Sequence, residues 1–166
     1  VPEELRRPNR EKPESKATRA VVIFLLVVSA ALILVVGLGG WDKLQGMKAV
    51  PVAYAVIFLV FAFYVTRWNR GVLPVASALA IILIIFAAVA GPAWFARGKE
   101  GFESPALPEN LLGIITLLLI PVQALLIAFA MRGFRQQWHV VAGSRADLEA
   151  RGLTGSSSPE TRAQPG

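Results

Sequence analysis

Few side chains in this chain could do chemistry, and those few are scattered. His139 is the single histidine and the chain has no cysteine, so neither a metal set nor thiol chemistry can be assembled around it. Glu100, Glu103 and Glu109 share one polar stretch with Arg97 and Lys99, the pattern of solvated carboxylates rather than of a paired acid and base. No Ser–His–Asp set, HExxH pattern or Gly-rich phosphate loop occurs. What remains lies within apolar sequence. Gln123 follows closely on Pro121, and Thr116 precedes Gln123 by seven residues, which places both on one helix face. Pro121 has no N–H and its ring crowds the carbonyl of Leu117, so a bend and a freed carbonyl are expected there. Thr116, Pro121 and Gln123 therefore form the candidate intramembrane polar patch. Its expected role is hydrogen bonding between helices, with a small polar pocket as the alternative.

The elements that must position this patch are four long apolar stretches, 20–40, 49–66, 71–96 and 111–131, each free of Asp, Glu, Lys, Arg and His. A bilayer core about 30 Å thick needs ~20 such residues per helix. A soluble helix would show a polar face every few residues, and none of these does. The first stretch exceeds the roughly 7–15 apolar residues of a signal peptide, so it is expected to be a retained span. Trp41, Trp68, Trp94 and Trp138 all stand at the exits of the stretches, where amphipathic indoles anchor to headgroups. The expected fold is all-α: an integral membrane four-helix transmembrane bundle over residues 20–131, with a short cytoplasmic interfacial helix after it.

Charge sets the expected topology. Of the 17 Lys and Arg, only Lys43, Lys48, Arg97 and Lys99 fall on one side; the rest, including Arg67, Arg70, Arg132 and Arg135, fall on the other. The positive-inside rule then puts both termini in the cytoplasm, and an even number of spans requires them to share a side. Residues 1–19 mix charges and prolines without apolar periodicity and are expected to be a disordered basic tail. In residues 132–143, Phe134, Trp138 and Val141 recur at helical spacing among Arg132, Arg135, Gln136 and His139. This reads as an amphipathic segment on the membrane surface, or as a plain continuation of the fourth helix. Residues 144–166 are expected to be a flexible cytoplasmic tail.

Small residues mark one further face. Ser77, Ala80, Ala87 and Gly91 follow three- and four-residue steps along the third span, interrupted by Ile84, and would admit a close helix from this chain or another. No cofactor and no metal is expected. The basic surplus points to anionic lipid headgroups rather than nucleic acid. An Arg-rich, Ala-rich composition fits a GC-rich bacterial genome and hence a plasma (inner) membrane. The expected function is a non-catalytic accessory, assembly or scaffolding subunit of a larger membrane complex. The alternative is a small homo-oligomeric channel or carrier built on Gln123 and Pro121. Membrane enzymology has the least support, because no catalytic constellation is present.

Overall fold

Proline places the first helical turns. Pro8 opens α1 (Pro8–Glu11) and Pro13 opens α2 (Pro13–Gly39), each in the first turn, where a missing N–H is harmless. The computed structural model describes residues 7–41, 44, 46–96 and 106–139. Among these, all regular structure is helical, continuing with α3 (Ala49–Thr66), α4 (Val72–Ala96) and α5 (Glu109–Arg135). Helices α2 to α5 are each long and apolar enough to cross a membrane. The protein is thus a multi-pass, four-helix membrane protein.

Neighbouring helices run antiparallel and pack in a ring. α2 packs on α3 and on α5, α5 packs most extensively on α4, and α3 and α4 meet only slightly. Three sides of the ring are closed and the fourth is sprung. The close side between α4 and α5 depends on small residues: a Cβ on Gly91 would run into the side chain of Leu117. Ser77, Ala80 and Ala87 are buried with it, so the small-residue stripe is occupied by a helix of the same chain. On the α2–α3 side Gly37 stands against Pro51, whose ring would be struck by any added Cβ.

Two expected boundaries shift. α2 begins at Pro13 rather than near Ala20, so most of the segment read as a disordered tail is helical. Backbone hydrogen bonding does not stop where hydrophobicity stops. At 1.5 Å per residue its 27 residues span about 40 Å, longer than the hydrocarbon core. The extra turns carry Lys16 and Arg19 beyond the apolar stretch. At the other terminus no separate interfacial helix forms among the described residues: Arg132–Arg135 continue α5, and residues 136–139 turn back onto the bundle. Residues 1–6, 140–143 and the tail 144–166 lie outside the described residues, as do Glu100 and Glu103.

Candidate functional site

Three places gather polar or accessible groups: the middle of the bundle, the end where α2 starts and α5 finishes (the basic end), and the opposite end (the far end).

In the middle, Gln123 of α5 is fully buried, and its Nε2 donates to Ser29 Oγ of α2 at 2.8 Å. The Ser29 hydroxyl donates in turn to the Leu25 carbonyl at 2.7 Å. Gln123 Oε1 is buried without a hydrogen-bond partner. An unsatisfied buried acceptor costs about 1–3 kcal/mol. The two residues of the expected polar patch separate here. The Thr116 hydroxyl donates to Leu112 of its own helix at 2.7 Å, and Thr116 lines a crevice that Gln123 does not reach. Ser77 likewise donates to its own helix, at Leu73. α5 runs as one helix through Pro121.

The basic end is tied together by residues that sequence spacing does not single out. Trp138 is fully buried, its ring standing edge-on to Trp68 at 5.2 Å between centroids and 88° between planes. Its Nε1 donates to Gln136 Oε1, and Gln136 Nε2 donates to Thr18 Oγ1 on α2, both at 3.1 Å. Arg10 Nε donates to the Trp138 carbonyl at 2.9 Å, and Asn9 Nδ2 donates to the Gln137 carbonyl at 3.2 Å. The Arg10 and Arg19 guanidiniums both lie over Trp68, at 5.5 and 4.3 Å from the ring centroid. Burial first, then the charges of Arg7 and Arg19, lowers the pKa of Arg10. The Trp68 indole face and the Trp138 carbonyl offset that repulsion for Arg10.

Trp68 itself is bent to fit. The Asn69 N–H bonds the Tyr64 carbonyl and the Trp68 N–H bonds the Val65 carbonyl, which together close α3 in a Schellman motif. The left-handed position of that motif, usually glycine, is held by Trp68 at φ 61°. A bulky residue there is strained by about 1–3 kcal/mol and persists only where its surroundings hold it. Of the residues read as topology-setting, Arg70 crosses to α5, donating to the Phe134 carbonyl at 3.1 Å with its guanidinium over the Phe134 ring. Arg67 lies over Phe63, while Arg132 and Arg135 are exposed.

The far end is looser. Trp94, read as a headgroup anchor, is only 3% exposed and packs against Gly40. Trp41 is more exposed and carries the Lys48 ammonium 5.2 Å from its ring centroid. Below them, where α3 and α4 part, a crevice of about 330 Å³ opens, floored by Ile33 of α2 and Thr116 and Leu119 of α5. Among the described residues no three His, Cys, Asp or Glu come together, and His139 is exposed.

Comparison with protein-family models, with curated proteins and with solved structures returns no match in any of the three. Function must be argued from the residues alone. The sequence reading missed the Ser29–Gln123 pair and the Arg10–Trp138 clasp. The one available signal for the first was that Ser29 is the only clearly polar side chain in its stretch.

Proposed function

We propose that this protein is a non-catalytic accessory, assembly or scaffolding subunit of a larger membrane complex. In this reading it sits in a bacterial plasma membrane with its basic end in the cytoplasm. The observation that carries it is the Ser29–Gln123 bond, in which the most polar intramembrane side chain is fully buried between α2 and α5. A residue committed to joining helices serves the shape of the bundle, not a passing substrate. The Thr116 and Ser77 hydroxyls support the same reading by bonding their own helices. The small-residue stripe no longer supports it, because α5 covers that face. Partner contacts then fall on the outward faces of the ring.

Extraction in a mild detergent, followed by native mass measurement, tests this. The expected result is a larger membrane protein copurifying at fixed ratio, retained in the Gln123→Leu variant. A chain that purifies alone, or only with copies of itself, would overturn the proposal.

One observation favours the channel reading: Gln123 Oε1 has no hydrogen-bond partner among the described residues. In a homo-oligomer that lined a pathway with Gln123, flux into liposomes would be lost in Gln123→Leu while assembly persisted. Unchanged flux would remove that reading.

A further inference from the structure

The sprung side of the ring is the part of the fold that nothing among the described residues completes. α3 and α4 are joined by a tight turn at the basic end and scarcely touch beyond it, so they diverge toward the far end. The crevice between them runs from Leu83 to Ala90 along α4, a depth of about 10 Å at 1.5 Å per residue. Pro51, Tyr54 and Ala90 line its walls, and Ala90, Phe86 and Val89 are exposed beside it. Its lining is almost wholly apolar. Such a cavity has too few polar partners to hold water, and in a bilayer it opens onto hydrocarbon.

We propose that this crevice binds one acyl chain of an anionic phospholipid, with the headgroup meeting Lys48 at the rim. Three features select this occupant. A transmembrane helix is about 10–12 Å across with its side chains, and 330 Å³ lies near the lower limit for small-ligand pockets, so a chain enters where a helix does not. Lys48 falls in sequence between the lining residues Met47 and Val50, and its ammonium is steadied over Trp41 at the level where headgroups lie. Tyr54 lines the crevice six residues deeper, with a phenol that can donate to an ester carbonyl. The site is independent of whether the protein serves a larger complex, since a lipid wedged between α3 and α4 completes the bundle in either case.

The test uses the full chain, delipidated in detergent and titrated with palmitoyl-oleoyl phosphatidylglycerol or phosphatidylcholine, with bound lipid counted by native mass spectrometry. The expected result is one phosphatidylglycerol retained per chain above the non-specific series. Ala90→Phe, which fills the crevice from an exposed position, should weaken that retention about tenfold. Lys48→Gln should abolish the preference for phosphatidylglycerol over phosphatidylcholine without displacing the chain-binding step. This second variant leaves the packing intact and keeps the test valid if Ala90→Phe does not fold. Equal retention of both lipids by the parent chain and Lys48→Gln would overturn the proposal. So would a dimer that excludes lipid and dissociates in Ala90→Phe, because the crevice would then belong to a second copy.

Discussion

The two ends of this bundle are finished in opposite ways. Each has one buried tryptophan and one more open tryptophan, visited by Arg10 and Arg19 at the basic end and by Lys48 at the far end. At the basic end the two indoles touch each other, and Gln136, Thr18, Arg10 and Asn9 link three parts of the chain around them. At the far end Trp94 packs against Gly40 and Trp41 carries Lys48, and the adjoining helices part to leave a crevice. The difference lies in connectivity. A tight turn holds α3 to α4 at one end, whereas at the other their ends belong to different connections. Among the described residues one end is closed by side-chain contacts, and the other keeps the crevice proposed to take a lipid.

The sharpest way to break that contrast is to delete one tryptophan from each end. Trp138→Ala should lower bundle stability by about 3–5 kcal/mol, the range for removing a fully buried aromatic ring. Trp41→Ala, at a residue that is 36% exposed, should cost clearly less than Trp138→Ala. Denaturant titration in mixed micelles reads both, and equal losses would mean that the ends do not differ as described.

A smaller effect is expected between the ends. Ser29→Ala leaves the whole Gln123 amide unpaired and should cost about 1–3 kcal/mol by the same titration. Adding Gln123→Leu to it should restore most of that loss, since the buried amide then disappears with its missing partner. A double variant no more stable than Ser29→Ala would show that Gln123 finds other partners.

The smallest effect belongs to the clasp's outer layer. Arg10→Ala removes one bond to the Trp138 carbonyl and one cation over Trp68, worth about 1–2 kcal/mol together. Arg10→Lys should recover part of the ring attraction but not the guanidinium bond. A full recovery in Arg10→Lys would reduce the clasp to simple charge.

How legible this was depends on the range of the interaction. α3 occupies 49–66 as its apolar stretch does, and α4 begins within a residue of its stretch, because charges and a tight turn bound both. α2 and α5 overrun their stretches, since helical hydrogen bonds continue into charged sequence and no breaker stops them before Pro13 or after Met131. Thr116 and Gln123 share a face as their spacing requires, yet packing gives one to the crevice and the other to Ser29. The Arg10–Trp138 bond spans 128 positions in the chain, and no local pattern encodes such a pair. Trp94 and Trp138 were legible as tryptophans at helix exits, but only packing reveals that they are inside the protein.

The clasp also has a place in time. Arg10, Arg19 and Trp68 leave the ribosome before Trp138 exists, and α5 must be threaded before Trp138 can reach them. Its closure therefore waits on the insertion of α5. Until then Trp68 has its arginines but not its indole partner, and a protein that has lost α5 never gains it. The tryptophan pair thus records whether α5 has joined the bundle.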